Sequence, residues 1–597
     1  MDDSSRRALR RRRRGPGPQI RPRVHCAPRA RRNSARARAR ARSVAGRGLR
    51  SADHDDDYRH ATPQPKRATS AHRCKHRAVC LHRARLGHGS RARTNCRVVR
   101  FIYRRHRMTG QVSPSTPIVP SDQIAHDAAE RLYEHDRLRS GKYVLSTAQK
   151  IGGAIAIVII VLVGIFWPSK LLQAFLILFS LAFLAATAFK FIVSVRGARY
   201  DVIERISSAQ IAELRDEDLP VYTVLVPVFR EANIVGQLVR NLGALDYPTD
   251  KLEVMILTEE EDQETRDAIA ASNPPAHFRV VRVPKGHPQT KPRACNVGLA
   301  LAHGDYLVIY DAEDRPDPDQ LKKALIAFEQ NGEEVAVVQA ALNYFNDREN
   351  PLTRMFTLEY SYWFDYMLPG LEHDRLPIPL GGTSNHFRVD ALRELGGWDP
   401  YNVTEDADLG IRASALGYRV GVIDSTTMEE ANTSIPNFIR QRSRWIKGYL
   451  QTSLVHARRP VQLIREVGVV KFSAFALLIA GTPITFLAVL PFYALTAVSL
   501  FLPPEVLSGL LPVPVLWLAL LNFVVGSALM VYVTMMGPYK RGSFHLVPWA
   551  LVNPVYWVLH SIASYKALWQ LIVKPHYWEK TEHGLTAHVD DADGQAG

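Results

Sequence analysis

The sequence predicts an α/β domain with a mainly parallel sheet, together with a polytopic α-helical membrane domain. Two apolar stretches, Ile151 to Trp167 and Leu171 to about Val193, each have the length needed to cross a ~30 Å hydrocarbon layer. Between residues 221 and 340, short β-rich runs alternate with helix-like stretches, which is typical of a sheet flanked by helices. Apolar stretches return after about Val469.

The formal net charge of +18 comes from one end of the chain. Residues 1–107 contain 33 Lys and Arg against 6 Asp and Glu, a net of +27, so the other 43 basic and 52 acidic residues give −9. A segment with so few aliphatic residues cannot bury enough apolar surface to fold, and we expect it to be disordered. The body of the protein therefore gives no reason to expect binding to nucleic acid.

Three interpretations of residues 1–107 remain open. The segment could be a basic arm for nucleic acid or anionic lipid, or a targeting peptide, although no apolar core follows its early arginines. The third interpretation, which we prefer, is an over-extended start, with Met108 as the true first residue. Four of the five cysteines lie here, so only Cys295 remains in the body. The absence of a disulfide framework suits a domain in a reducing, cytosolic compartment.

The first two apolar stretches read as a helical hairpin, joined at Trp167-Pro168-Ser169-Lys170. Arg196 and Arg199 follow the second stretch, and the positive-inside tendency places the next domain in the cytosol. Later apolar stretches cover about 471–502, 513–536 and 546–573. These stretches could form either three or four membrane spans. A cytosolic position for Lys540-Arg541 requires three, so the positive-inside tendency mildly favours that number.

These features divide the chain into six parts. They are a disordered basic segment (1–107), a cytosolic N-terminal helical segment (108–149), a transmembrane hairpin (150–193), a cytosolic domain (194–455), a C-terminal transmembrane region (456–575) and a polar tail (576–597).

The predicted strands of the cytosolic domain are followed by charged clusters. The strands are VYTVLVPV, EVMILT, RVVRV, DYLVIYD and VAVVQA, and the predicted helices cover 230–243, 291–303 and 319–330. Ligands of parallel sheets bind at the carboxyl ends of the strands, so the clusters are candidate site residues.

The first cluster is Asp311-Ala312-Glu313-Asp314, directly after the strand DYLVIY. Carboxylates two residues apart on a turn can share a hard divalent cation, and such a cation would neutralise a diphosphate. A solvated acidic turn before Pro316 is the alternative interpretation, and on this cluster alone the two have equal weight.

Two further clusters follow. Thr404-Glu405-Asp406, with Asp408, precedes a helix-like stretch, where the helix dipole by itself would favour carboxylates. Gln441-Arg442-Ser443-Arg444-Trp445 combines side chains that bind phosphate oxygens with a flat ring that suits a sugar. Its alternative interpretation is a basic, aromatic segment at a membrane interface.

The order of these clusters is more specific than any one of them. An acidic cluster at a strand end, then TED about 95 residues later, then QxxRW about 35 residues after that, followed by membrane helices, resembles glycosyltransferase family 2. The resemblance is to its membrane-bound, processive branch of cellulose, hyaluronan and chitin synthases. It covers roughly 219–455 in motifs and 150–575 in architecture, and implies a GT-A fold, a nucleotide-sugar-binding, Rossmann-like domain.

The resemblance also implies roles for matching residues. Asp406 would be the general base, with Glu405 beside it as a second catalytic residue, and Asp311 and Glu313 would hold Mg²⁺ or Mn²⁺. Glu313 stands where the family usually has Asp, and Leu257 to Asp262 is glutamate-rich where the family is aspartate-rich. The implied donor-binding residues are Pro227, Glu231, Glu260, Lys291, Asp311, Gln441, Arg442 and Arg444, and the implied acceptor-binding residues are Trp445, Ser384 and Asn385.

The implied activity is inverting transfer from a nucleotide-sugar, expected to be a UDP-sugar, to a growing β-linked polysaccharide. The expected partners are that donor, a glycan or lipid acceptor, and the bilayer of the cell (inner) membrane. A non-processive enzyme that makes a glycolipid is the first alternative. A transporter with a nucleotide-binding regulatory domain is another, but the spans contain few ionisable residues beyond Lys190, His560 and Lys566.

Overall fold

A computed structural model describes residues 117–200, 202–581 and 584. The predictions for residues 1–107, including the start at Met108 and the four N-terminal cysteines, lie outside the described residues. So does the tail after Thr581, apart from Gly584.

One eight-stranded mixed sheet forms the centre of the domain after the hairpin. Its strands are β1 (Tyr222–Val228), β2 (Leu252–Glu259), β3 (Phe278–Val283), β4 (Tyr306–Ile309), β5 (Arg315–Pro316), β6 (Val335–Tyr344), β7 (Asn385–Arg388) and β8 (Arg419–Glu429). The spatial order is β3-β2-β1-β4-β7-β6-β8-β5. Strands β1 to β4 are mutually parallel, as predicted, because helical connections return each strand to the same end.

The second half of the sheet departs from the parallel pattern. Strand β7 runs antiparallel to both β4 and β6, and β8 is parallel to β6. Neither β7 nor β8 was among the predicted strands. The four residues of β7 are Asn-His-Phe-Arg, a polar run whose strand conformation is stabilised by pairing on both sides rather than by its own propensity.

Helices cover the sheet and connect its strands. The helices of this domain are α4 (Ser208–Ala212), α5 (Val235–Gly243), α6 (Gln263–Ala271), α7 (Lys291–Leu301), α8 (Gln320–Asn331), α9 (Pro351–Tyr362), α10 (Leu368–His373), α11 (Val389–Glu394), α12 (Glu405–Ala415) and α13 (Ile435–His456). Helices α5, α7 and α8 match the three predicted helices. Val224, Leu225 and Val226 of β1 are fully buried between the two helical layers.

The N-terminal part contains α1 (Asp122–His135), α2 (Thr147–Phe166) and α3 (Pro168–Arg199). Ser121 caps α1, and Ser146 and Gln149 form a capping box on α2. Helix α1 packs on α7, and Ile118 bridges to Val281 at the edge of the sheet. No residue of α2 is buried in the described chain, although its sequence is strongly apolar.

The C-terminal part contains α14 (Pro460–Val467), α15 (Val469–Phe475), α16 (Gly481–Ser499), α17 (Pro504–Leu510), α18 (Val513–Leu521), α19 (Ser527–Lys540) and α20 (Asn553–Val573). Short π-helical turns at Ala476–Ala480 and Asn522–Gly526 join α15 to α16 and α18 to α19, and a third lies at Trp363–Met367 after α9. Short 3₁₀ segments lie at Asp216–Asp218, Gly332–Glu334 and Phe544–Val552.

Five helical stretches in the described chain are long and apolar enough to cross a membrane. They are Thr147–Phe166, Pro168–Arg199, Val469–Ser499, Val513–Lys540 and Phe544–Val573. Three of them follow the sheet domain, which is the smaller of the two numbers that the sequence left open.

Candidate functional site

A cavity of about 450 Å³, here called cavity 1, opens where strands β1, β2, β4 and β8 end. The carboxyl ends of parallel strands are the usual ligand site in such sheets, because the loops there are free to diverge. Ten of the fourteen predicted site residues line it: Pro227, Glu231, Lys291, Asp311, Glu313, Glu405, Asp406, Gln441, Arg444 and Trp445.

The turn after β4 presents two carboxylates to cavity 1 and turns a third inward. Asp311 and Glu313 line the cavity, whereas Asp314 is fully buried. Asp314 accepts hydrogen bonds from the Asp311 amide at 2.8 Å and from the Thr383 hydroxyl. Burial, together with the charges of Asp311 and Glu313, raises the pKa of Asp314 well above its usual range. Asp314 therefore fixes the shape of the turn.

A cation already lies against this turn. The Lys291 ammonium donates to the Asp311 carboxylate and, at 2.8 Å, to the Gly382 carbonyl. Burial acts against the charge of Lys291, but Asp311 and Glu405 outweigh it and raise the pKa of the ammonium. The lysine therefore remains charged and shows that the electrostatics here favour a cation.

The carboxylates fit a divalent metal that is shared with a substrate. Among the described residues no cluster of three or more His, Cys, Asp or Glu is arranged to hold a metal alone. Mg²⁺ and its analogues, however, often bind through one or two carboxylates plus substrate phosphates. Asp311 and Glu313 supply the two oxygen donors that such a shared site needs.

The TED segment forms the first turn of α12. Glu405 and Asp406 line cavity 1, and Asp406 accepts a 2.7 Å bond from the Ala407 amide. Burial raises the pKa of Asp406 to about 6. Burial and the neighbouring Asp406 charge raise the pKa of Glu405 to about 8. Asp406 therefore loses its proton at a lower pH than Glu405.

Asp408, in the same acidic segment, points away from the cavity. Its two oxygens meet Arg412 Nε at 2.7 Å and His456 Nε2 at 2.9 Å. Burial opposes its charge, but these partners lower the pKa of Asp408. The Arg412 guanidinium also donates to the carbonyls of Leu395 and Gly397. This network anchors α12 and so holds Asp406 in place.

The QRSRW segment lies in the middle of α13. Gln441, Arg444 and Trp445 face cavity 1. Arg444 lies 4.8 Å from the centre of the Trp578 ring, and burial lowers its pKa from a very high starting value. The Trp445 ring stacks on Tyr360 with ring centres 6.2 Å apart. A guanidinium and an aromatic ring therefore line the same cavity as the carboxylates.

Four predicted residues do not line cavity 1. Arg442 points away from cavity 1 and lines a second cavity, where it makes a two-point ion pair with Glu359 at 3.0 and 2.7 Å. Its expected position over a diphosphate is thus not observed, because residues two apart on a helix point in different directions.

The other three predicted site residues that do not line cavity 1 are Glu260, Ser384 and Asn385. Glu260 accepts from the Lys285 amide at 3.0 Å outside the cavity, and Glu259 lines cavity 1 in its place. Ser384 is buried against the Thr427 hydroxyl at 2.6 Å, and Asn385 begins β7 and donates to the Gly381 carbonyl. Because the loop continues into a strand, Gly382 and Thr383 face the cavity instead.

The polar tail, for which the sequence predicted no site residue, also lines cavity 1. His576, Tyr577, Trp578, Lys580 and Thr581 line cavity 1. The segment follows α20 and is rich in aromatic and basic residues, and this composition is the feature of the sequence that could have indicated a part in the site.

Side chains of α13 and α20 hold this tail in place. Lys447 donates to the Tyr577 carbonyl at 2.5 Å, and Lys566 pairs with Glu579 at 2.7 Å. At its far end Lys580 donates to the Phe229 carbonyl. The tail therefore crosses the mouth of cavity 1 and reaches the loop after β1.

A second cavity of about 260 Å³, here called cavity 2, adjoins the first. Residues of α3, α9, α13, α16, α19 and α20 line it. Asp406, Tyr360 and Trp445 line both cavities. Asp406, whose pKa is raised to about 6, therefore lies where cavity 1 meets the more apolar cavity 2.

Comparison with known proteins agrees with this arrangement. A family profile described as "Glycosyl transferase family group 2" matches residues 306–559. The probable glycosyltransferase YdaM of Bacillus subtilis (strain 168) is 28% identical over 236 residues, which are 39% of this chain and 56% of that protein. Glucomannan 4-beta-mannosyltransferase 2 of Arabidopsis thaliana is 27% identical over 247 residues, 40% of this chain and 46% of that protein.

The chain spans about half the length of the curated relatives it matches. Among solved structures, the mannosyltransferase PcManGT from Pyrobaculum calidifontis in complex with GDP-Man and Mn²⁺ has a TM-score of 0.42 and 20% identity. The match covers 67% of this chain and 99% of that one.

The predicted family, fold class and enzyme class are confirmed. The family match includes the strand before the acidic turn, the TED and QRSRW segments, and the C-terminal apolar helices from Val469 as far as residue 559. The relatives are named as glycosyltransferases. Residues 306–559 therefore belong to a family 2 glycosyltransferase domain with a GT-A fold, and the chain is similar to the membrane-bound branch of that family.

Proposed function

We propose that this protein transfers a sugar from a nucleotide-sugar to a hydroxyl of a growing β-linked polysaccharide, with inversion at the anomeric carbon. One observation carries the proposal: the Asp406 carboxylate lines both cavities. A base at this junction can reach a donor in cavity 1 and an acceptor that enters from cavity 2. Both substrates must meet at one base in a single displacement.

The donor would lie in cavity 1 with its diphosphate between Lys291 and Arg444. Lys291 is charged and partly buried, and Arg444 and Gln441 line the same cavity. Asp311 and Glu313 would hold Mg²⁺ or Mn²⁺ together with the diphosphate oxygens. That metal, when bound, would supply positive charge that stabilises the leaving diphosphate. Glu259, Pro227 and Glu231 line the end where the nucleoside would bind.

Asp406 would act as the general base. Its carboxylate takes the proton of the acceptor hydroxyl as that oxygen forms a bond to the anomeric carbon and the bond to the diphosphate breaks. A pKa of about 6 leaves Asp406 ionised near neutral pH yet basic enough to help, which suits this role. Attack from the face opposite the leaving group turns an α-linked donor into a β-linked product.

Trp445 and Tyr360 would flank the acceptor. Their stacked rings line both cavities beside Asp406. Flat aromatic faces bind the apolar faces of sugar rings, so they would keep the acceptor hydroxyl near the base.

The five apolar helices would place the enzyme in the cell membrane as a multi-pass protein. Arg196 and Arg199, at the end of α3, favour a cytosolic position for the catalytic domain. A cytosolic domain would have access to nucleotide-sugars, and cavity 2, which lies between the apolar helices, would lead the product towards the bilayer.

The test is to incubate membranes containing the full chain with a panel of radiolabelled UDP- and GDP-sugars, then to size the product. A UDP-sugar is the expectation from the family resemblance, but relatives named as mannosyltransferases require a mannose donor in the panel. Donor-dependent polymer that is absent with Asp406→Asn supports the proposal. No transfer from any donor would refute it.

Product length decides the alternative, a non-processive enzyme that makes a glycolipid. The apolar lining of cavity 2 favours neither outcome by itself, because it suits an acyl chain as well as a sugar ring. A single-sugar lipid product would support the alternative, and a long, alkali-stable polymer would support the polysaccharide.

A further inference from the structure

Cavity 2 contains an isolated positive charge. Lys190, on the apolar helix α3, lines this cavity, and its ammonium has no hydrogen-bond or ion-pair partner among the residues that the structure describes. A charged side chain within an apolar helix is costly, and such residues commonly mark ligand or ion sites. Lys190 therefore requires an explanation that the proposed chemistry around Asp406 does not supply.

The nearby carboxylate does not neutralise it. The charge of Glu359 acts on Lys190, but both Glu359 oxygens are already taken by Arg442. Tyr556 donates a further bond to Glu359 at 2.9 Å. With Glu359 balanced by Arg442, and apart from Asp406 at the junction with cavity 1, the described residues that line cavity 2 leave the charge of Lys190 unbalanced.

Two other hydrogen-bond donors in the same cavity have no acceptor. Asn553, which is 4% exposed, lines cavity 2 and its Nδ2 is unpartnered within the described chain. Arg442 lines it too, and its Nε is buried without a partner there. Buried donors are nearly always satisfied, so unsatisfied ones that line a cavity indicate a ligand with acceptor atoms.

We propose that Lys190, Asn553 and the Nε of Arg442 form an oxyanion subsite, which binds a phosphate or carboxylate carried by the acceptor behind its reactive hydroxyl. This inference rests on the proposed function, because it assigns cavity 2 to the acceptor. An oxyanion supplies both the missing negative charge and several acceptor lone pairs, whereas a neutral sugar supplies only the latter.

The rest of cavity 2 suits an amphiphile. Its walls include Phe486, Met530 and Trp557 from three apolar helices. Its volume of about 260 Å³ is below the usual ~300–1,000 Å³ of small-molecule sites, so it can hold only a short part of the acceptor. The oxyanion would therefore lie close behind the sugar that Asp406 activates.

The test uses the purified full chain in a polyoxyethylene detergent, which carries neither phosphate nor sugar. Octyl phosphate, octyl β-mannoside, mannuronate and inorganic phosphate are titrated separately. Binding is followed by tryptophan fluorescence, because Trp445 and Trp557 line cavity 2. We expect octyl phosphate or mannuronate to bind at least about tenfold more tightly than octyl β-mannoside. Preference for octyl phosphate identifies a lipid phosphate, and preference for mannuronate an acidic sugar.

Substitutions test whether the preference for anionic probes depends on the proposed subsite. Lys190→Met should abolish it, Lys190→Arg should retain most of it, and Asn553→Asp should abolish it by placing a carboxylate in the subsite. Lys170→Met is the matched control, because Lys170 lies on the same helix and its exposed ammonium donates to Gln173. Unchanged UDP or GDP affinity in each variant shows that the protein is folded.

Equal binding of the neutral and anionic probes by the wild-type chain would overturn the inference. So would a preference that survives Lys190→Met, or binding of inorganic phosphate without either organic anion. These outcomes are distinct from failure of the proposed function, because the titrations require no turnover. An enzyme that transfers sugar to neutral acceptors only would keep its proposed function and lose this subsite.

Discussion

Arg442 and Glu359 form a two-point ion pair, with Nη1 to Oε1 at 3.0 Å and Nη2 to Oε2 at 2.7 Å. The pair joins α13 to α9, and the guanidinium lies 4.3 Å from the centre of the Trp445 ring. Arg442 thus lines cavity 2, and Arg444, two residues later, lines cavity 1.

Substitutions of Arg442 and Arg444 should therefore have different effects on donor affinity and on stability. Arg444→Gln should raise the KM for the donor, because it removes a cation that would face the diphosphate in cavity 1. Arg442→Leu should leave donor affinity unchanged and destabilise the protein by about 2–3 kcal/mol, because it strands a partly buried carboxylate. Nucleotide titration and thermal unfolding separate the two effects.

A paired variant is the control. Replacing both Arg442 and Glu359 by Leu should recover most of the lost stability, since neither member of this ion pair is then left without the other. A donor KM that rises with Arg442→Leu as much as with Arg444→Gln would contradict the assignment.

Asp406→Asn should lower turnover by about 10²–10⁴-fold, the usual contribution of a general base, and leave nucleotide binding largely intact. The amide has nearly the same shape but cannot take the proton. Initial rates at saturating donor and nucleotide affinity are the two measurements. Asp390→Asn, on the exposed surface of α11, is the control. Near-normal turnover would remove Asp406 from the role of base.

Turnover should rise with pH through about 6. Burial raises the pKa of Asp406 to about 6, and a base works only when deprotonated, so activity should be lost as the pH falls below that value. A kcat profile from about pH 5 to about pH 8 at constant ionic strength tests this, with metal and donor saturating throughout. A kcat that does not change over that pH range would show that a group other than Asp406 accepts the proton.

Asp311→Ala should weaken metal-dependent nucleotide binding by at least about tenfold, or about 1.4 kcal/mol. The variant loses one of the two carboxylates that face cavity 1 on the acidic turn. Nucleotide affinity is measured with Mn²⁺ and with a chelator. The difference between the two conditions should shrink in the variant, and an unchanged difference would place the metal elsewhere.

Lys580→Met should raise the KM for the donor about tenfold with a smaller change in kcat. The lysine ties the tail to the loop after β1 by donating to the Phe229 and Arg230 carbonyls, and charged hydrogen bonds of this kind contribute about 1.5–3 kcal/mol. Lys574→Met is the matched control, because Lys574 precedes the part of the tail that lines cavity 1. Equal effects of both substitutions would show that the tail acts only through its overall charge.

Local patterns were sufficient to predict much of this protein. Hydrophobic length identified the apolar helices, because one helix crossing a bilayer needs a run of apolar residues that the sequence displays directly. Alternating runs identified β1 to β4 and the helices α5, α7 and α8, since each depends on its own periodicity. Motif order then identified the family and ten residues that share one cavity.

Tertiary structure alone decided the rest. Which way a side chain points depends on contacts from distant parts of the chain: Glu359 draws Arg442 away from cavity 1, and Thr427 buries Ser384. Strand β7 exists because β4 and β6 pair with it from both sides. The tail reaches cavity 1 because α13 and α20 hold it there, a contact across more than a hundred residues that no local pattern encodes.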